Sequence, residues 1–208
     1  MDNYVITIGR ELGSGGKHIG EIMAKQLNIP IYDRRLLDMA AQESGFNKEI
    51  FQKADEISDK SLLASAIRSI SSSVASMTNF YKNSMSKDSL FQFQSDAIRE
   101  KAKTESCIIV GRCADYILRD HPRHINIFIR ADKEDRIRFV SERYNITKAE
   151  AEKKIEKVDD QRSEYHDFYC ETNWGDSRAY DICVNSSILG AERTAQYLLE
   201  YVKEALKI

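Results

Sequence analysis

Gly13, Ser14, Gly15, Gly16, Lys17 and His18 are the residues of this 208-residue chain whose types and spacing point most directly to chemistry. They stand in "RELGSGGKHIG" (10–20), directly behind the apolar run "YVITIG". At a glycine-rich turn from strand to helix, several backbone N–H groups can point at one anion, and the helix dipole behind them favours negative charge. Side chains would block that approach, so glycine is required, and a lysine after the glycines reaches a nucleotide's outer phosphates. Gly16-Lys17 fits the Gly-Lys-[Ser/Thr] ending of phosphate-binding loops, but the first glycine of that pattern falls at Glu11 and the magnesium-holding hydroxyl is replaced by His18. A dinucleotide GxGxxG starting at Gly13 and Gly15 fails at His18. A tight turn needing positive φ is the ligand-free explanation; the flanking strand and helix favour phosphate.

Other chemistry is less well marked. Cys107, Cys113, Cys170 and Cys183 contain no CxxC pair, and His18, His121, His124 and His166 show no HExxH-like spacing, so neither a zinc site nor a disulfide framework is indicated and the metal ligands are unknown. The 31 basic and 33 acidic residues leave a net charge of −2, which argues against a nucleic-acid coat or a polybasic membrane surface. No run approaches the roughly 18 apolar residues of a membrane span, and the first residues lack a basic-then-apolar leader. The expectation is a soluble, cytoplasmic protein with neither nucleic acid nor membrane as partner.

The elements that must position the loop follow from periodicity. "YVITIG" (4–9), "CIIVGR" (107–112), "HINIFI" (124–129) and "YDICVN" (180–185) read as short strands, each followed by a helical pattern. Apolar strands alternating with helices predict a parallel sheet covered on both faces, an α/β fold of three layers α/β/α. Between 34 and 104 no strand signal occurs; Leu63, Ala66, Ile67, Ile70, Val74, Met77 and Tyr81 keep helical spacing, which predicts a helical insertion in a single domain 1–208. "TKAE" (147–150) reads as a capping box opening a charged helix with few apolar positions, expected to be solvated and mobile.

Taken together, "ITIGRELGSGGKHIG", "LNIPIYDRRLL" (27–37), "IIVGRCADYIL" (108–118) and "NWGDSRAYDICVNSSILG" (173–190) resemble, in order, motifs of the cytidylate kinase-like branch of the nucleoside monophosphate kinases, over nearly the whole chain. The resemblance implies a phosphate loop on a parallel sheet, a helical acceptor-binding insertion (34–104) and an arginine-bearing helical lid (145–178). It implies ATP as phosphoryl donor, Mg2+, and small-molecule nucleotide acceptors, CMP or dCMP first.

Phosphoryl transfer needs phosphates held in line by cations, and arginine grips phosphate oxygens in pairs. Lys17 and the amides of Gly13 to His18 would hold the donor phosphates. Arg112, ending an apolar strand at "VGR", resembles the family's acceptor-binding arginine. Arg136 and Arg143 share a helical face; Arg136 lies near the place of an acceptor-phosphate arginine and Arg162, in "DDQRSEY", near the lid arginine. Asp33 with Arg34 and Arg35, and Asp160 beside Asp159, fall where the family holds acceptor ribose or phosphate. An N-cap for Asp33, and solvated helix acid for the aspartate pair, are equally good explanations. The family's aspartate before Gly-Arg is Val110 here, so with His18 two usual magnesium contacts are missing, leaving phosphates, water or another acid such as Asp115. A catalytically impaired nucleotide-binding protein and a small-molecule kinase with a different acceptor remain alternatives, and a homodimer through the 60–82 helix is left open.

Overall fold

In the computed structural model, residues 3–33 and 87–208 are described. Arg34, Arg35 and the helical stripe from Leu63 to Tyr81 lie outside the described residues. The chain divides into two compact units, Met1–Tyr32 with Lys101–Ile208, and Asp33–Glu100.

The first unit is built on five strands: β1 (Val5–Arg10), β2 (Ile31–Tyr32), β3 (Cys107–Val110), β4 (His124–Arg130) and β5 (Ile182–Asn185). They lie in the order β2-β3-β1-β4-β5 and every neighbouring pair is parallel, which is the expected α/β architecture. The helices are α1 (Gly16–Leu27), α2 (Lys87–Thr104, which crosses the unit boundary), α3 (Ala114–Ile117), α4 (Lys133–Tyr144), α5 (Lys148–Tyr169) and α6 (Ser186–Leu206). The chain leaves β1 towards β2 and β3 on one side and later places β4 and β5 on the other. The loop after β1 therefore sits at the switch point, where open parallel sheets bind ligands beyond their carboxyl ends.

Alternation along the strands explains their near-continuous apolar character. Ile6, Ile8, Ile108, Val110, Ile125, Ile127 and Ile129 pack with Ile19 and Met23 of α1 and with Ala195, Leu198, Leu199 and Val202 of α6 in one core. The intervening residues are buried on the opposite face, where Phe128 meets Trp174 edge-on at 5.3 Å and Tyr180 at 4.9 Å. Burying both faces removes period-2 alternation from the sequence and leaves continuous runs. The capping box is present: Thr147 accepts from the Glu150 amide while the Glu150 carboxylate accepts from the Thr147 amide.

The helix behind that box is not simply solvated. Ala151 and Ile155 of α5 join Val140 of α4 in a small apolar cluster that also takes Leu12, Ile137 and Ile146. The expectation of a solvated helix rested on a missing apolar stripe, and ionic groups supply much of the docking instead.

A polar seam crosses the sheet beside this core. Thr7 Oγ1 bridges His124 Nε2 (2.8 Å) and Asn126 Oδ1 (2.9 Å), and the Asn126 amide groups donate to Asp181 and to the Ala179 carbonyl. Burial pushes the His124 imidazole down to about 4. Between that value and the roughly 6.5 of an unfolded histidine, the unfolded chain binds the extra proton, so stability falls as pH drops through this window. About 2 kcal/mol should be lost between pH 6.5 and 4 from this group, partial solvation of the ring screening part of the roughly 3 kcal/mol that the full shift represents. Urea unfolding of His124→Gln should show a correspondingly shallower acid limb; equal slopes for the two proteins would refute this account.

Candidate functional site

The loop between β1 and α1 turns on two glycines with positive φ, Gly13 (86°) and Gly15 (73°). A Cβ on Gly13 would come within 3.0 Å of the backbone of Arg136, so glycine is needed there for close approach to α4 as well as for φ. Gly15 occupies the N-cap position of α1, no side chain caps that end, and no acid stands in the first turn. The positive end of α1 is therefore available to an anion. Lys17 and His18 are exposed on this first turn, while Ser14 and Gly16 are buried beneath it.

Three neighbouring elements hold the loop. Ser186, opening α6, donates from Oγ to the Ser14 carbonyl (2.7 Å) and to the Arg130 carbonyl (3.1 Å). Arg136 of α4, 9% exposed, donates from Nε to the Leu12 carbonyl (2.8 Å), pairs with Glu11 (3.2 Å) and pairs with Asp159 of α5. Asp159 also accepts from the Leu12 amide (2.8 Å) and from Arg162 (3.3 Å), whose guanidinium donates in turn to the Arg10 carbonyl (3.1 Å). Burial raises the Asp159 carboxyl above its ordinary value, opposed by the Leu12 amide and the two arginines. These hydrogen-bonded pairings are what allow such charges away from water.

The turn after β3 forms the second wall. Gly111, Arg112 and Cys113 all have positive φ (76°, 64° and 53°), a left-handed run that side chains other than glycine adopt at a cost of roughly 1 kcal/mol or more each. The Arg10 side chain reaches this turn: its Cβ lies against Gly16, and a Cβ on Gly111 would fall 2.0 Å from Arg10 Nη1. Arg10 thus spans the carboxyl ends of β1 and β3, beside Arg112.

Gly13, Ser14 and Gly15 lie in the loop after β1, and Gly16, Lys17 and His18 form the first turn of α1. Arg112 stands at the sheet's carboxyl edge. Arg136, which the resemblance put on an acceptor phosphate, is turned onto the loop, its charge balanced by Glu11 and Asp159. Arg162 touches the Arg10 carbonyl at the end of β1, and Asp160 is exposed on α5. Asp33, directly after β2, falls in the other unit. Trp174 packs on Phe128. Arg10, Glu11, Asp159 and Ser186 complete the site. Of these, Arg10 had a visible signal, a cation closing the strand that feeds the glycine loop; the others act through contacts between distant segments.

The positions usual for magnesium do not fit a direct protein ligand. Val110 is fully buried in β3, and His18 is exposed with Nδ1 3.7 Å from Glu21. Glu11 and Asp159 are engaged by arginines, and Asp115, the other acid considered, lies 2.7 Å from His166 Nε2. Burial alone would lower the His166 imidazole, but its bonds to Asp115 and Cys170 raise it to about 10.

Comparison with known proteins agrees with this fold. A crystal structure of an uncharacterized protein from Eubacterium ventriosum ATCC 27560 is 31% identical and superposes with a TM-score of 0.71, covering 97% of this chain and 99% of that one. Shikimate kinase from Bacteroides thetaiotaomicron (11% identity, TM-score 0.53, 99% of each chain) and a gluconokinase from Sinorhizobium meliloti 1021 (12%, 0.50, 99% of this chain and 96% of that one) share the fold alone. No curated protein matches the sequence. The cytidylate kinase-like family matches residues 5–188, and with a glycine loop, a charged first turn and arginines at the carboxyl edge of a parallel sheet, the chain belongs to that family.

Proposed function

We propose that this protein transfers the terminal phosphoryl group of ATP to a nucleoside monophosphate, CMP or dCMP first. The observation that carries the reading is the uncapped, acid-free N-terminus of α1 at the sheet's switch point, with Lys17 on its first turn and Arg10, Arg112 and Arg162 around the same edge. In this reading the loop amides and Lys17 seat the donor's outer phosphates and neutralise charge that spreads over the moving group. Arg10 and Arg112, from adjacent strand ends, hold the acceptor phosphate in line. Arg136 is a positioning residue: its buried guanidinium fixes the loop and couples it to α5, so that Arg162 lies over the reacting phosphates. Magnesium would travel with the nucleotide, held by phosphate and water, and no step here is assigned to it. The partners are small-molecule nucleotides in the cytoplasm, with a second copy of the chain as a further candidate; among the described residues no helix is long and apolar enough to cross a membrane.

The missing magnesium ligands at Val110 and His18 favour a second reading, a nucleotide-binding protein without turnover. An ADP-release assay over a panel of monophosphates and small hydroxyl acceptors, run beside calorimetric ATP titration, separates the two. Turnover with CMP or dCMP supports the first; tight ATP binding with no product from any acceptor supports the second.

Lys17→Ala should lower kcat/KM by about 100-fold or more while the fold is retained, because one preorganised cation is lost from the phosphate seat; unchanged kinetics would remove the basis of the proposal. Gly111→Ala should both destabilise the chain, by roughly 1–2 kcal/mol for the left-handed backbone, and displace the Arg10 guanidinium. Its KM for the acceptor is expected to rise more than its KM for ATP, and equal changes in the two would argue against Arg10 on the acceptor side.

A further inference from the structure

The turn after β3 and the carboxyl end of α5 bring together four side chains that the sequence separates by about fifty residues. Asp115, on the first turn of α3, places Oδ2 2.7 Å from His166 Nε2. His166 and Cys170 lie four residues apart at the end of α5, so both face the same way, and the Cys170 amide donates to the His166 carbonyl at 2.8 Å. The ligand-type atoms of Asp115, His166 and Cys170 all lie within 4.8 Å of one another. The Cys113 side chain, at the start of α3, lies beside Cys170. All are shielded: the side chains of His166 and Asp115 are 5% and 12% exposed, and Cys113 and Cys170 are buried.

We propose that Asp115, His166 and Cys170 form a binding site for a divalent ion of the zinc class, with one coordination position left for the Cys113 thiol or water. A carboxylate oxygen, an imidazole nitrogen and a thiolate are a zinc-type donor set, whereas magnesium prefers oxygen alone. A tetrahedral ion with bonds of about 2.0–2.3 Å needs ligand atoms roughly 3.3–3.8 Å apart, a separation that the 4.8 Å limit of this cluster accommodates. The Asp115–His166 pair must open by about half an ångström as the ion takes the place of their shared proton, and any pair at the 4.8 Å limit must close by about an ångström.

The surroundings carry the argument further. His166 Nδ1 lies 3.1 Å from Asp167 Oδ1, and the same oxygen accepts the Trp174 amide at 2.7 Å. A carboxylate on the far nitrogen, itself fixed by a backbone amide, leaves Nε2 as the ligating atom and orients the ring, the usual support of a metal-bound histidine. Such an ion would pin the end of α5 to the turn that carries Arg112. The site's chemistry is independent of phosphoryl transfer, and so is its test.

Cobalt(II) titration of the full-length, reduced protein reads the site directly, because a thiolate ligand gives an intense near-ultraviolet charge-transfer band and a tetrahedral site gives strong visible bands. One equivalent of cobalt should produce both, and zinc should displace them. Cys170→Ser should abolish the charge-transfer band and His166→Gln the tight binding. Asp167→Asn should weaken affinity by about 10–100-fold while keeping the spectrum. Cys183→Ser, an exposed thiol outside the cluster, should change nothing. Should Cys170→Ser fail to fold, the wild-type melt decides: zinc raises its midpoint and a chelator reverses the rise. Wild-type protein without a thiolate band at excess cobalt, or a band that survives Cys170→Ser, would overturn the assignment whatever the kinase assay gives.

Discussion

The glycine loop after β1 depends above all on one buried guanidinium. A loop with two left-handed glycines has little conformational preference of its own, and ordering it costs roughly 1–2 kcal/mol per residue in backbone entropy. Arg136 opposes that cost from beneath, with Nε on the Leu12 carbonyl and its remaining nitrogens on Glu11 and Asp159. A charge this far from water is tolerable only while all its partners stay in place, and removing one partner of such a pair typically costs about 3–5 kcal/mol. Glu11 is held as well, its carboxylate accepting the Ala131 amide at 3.0 Å. Loop, β4 end, α4 and α5 therefore form one electrostatic unit.

That unit changes what the glycines mean. Gly13 lets the loop backbone approach α4, Gly16 makes room for the stem of Arg10, and Gly111 makes room for its guanidinium. Each of these three glycines is matched to an arginine. Only Gly15, with open space around its missing side chain, is explained by backbone conformation alone. A phosphate-loop reading assigns Gly13, Gly15 and Gly16 to ligand approach; the packing ties two of those three, and Gly111 beyond them, to the arginines that frame the site.

Most of the framework was legible in the sequence because its cause is local. Four strand runs and the helices behind them fall within a few residues of their expected places, and the Thr147–Glu150 capping box forms as its spacing requires. The docking of α5 was not legible, because its charged composition looks solvated when the partners of Asp159 and Arg162 are unknown. The inward turn of Arg136 was hidden for the same reason: periodicity places a residue on a helical face without saying what that face meets. The Cys113, Asp115, His166 and Cys170 cluster escaped rules built on short motifs, since it joins a turn after β3 to the end of a helix far along the chain. Only the four-residue spacing of His166 and Cys170 was visible beforehand.

The two clusters meet on α5. Asp159 and His166 are seven residues apart, two helical turns, and so lie on the same face. Asp159 touches the loop after β1 through the Leu12 amide, and His166 touches the turn after β3 through Asp115. One helix therefore bridges both walls of the site, with Arg162 between the two contacts. The left-handed run at 111–113 belongs to the same design, since it directs Arg112 to the sheet edge while carrying Cys113 to Cys170. Contacts with the carboxyl end of α5 hold that turn, while Asp159 two helical turns earlier holds the loop after β1, so a change at His166 reaches the backbone that carries Arg112.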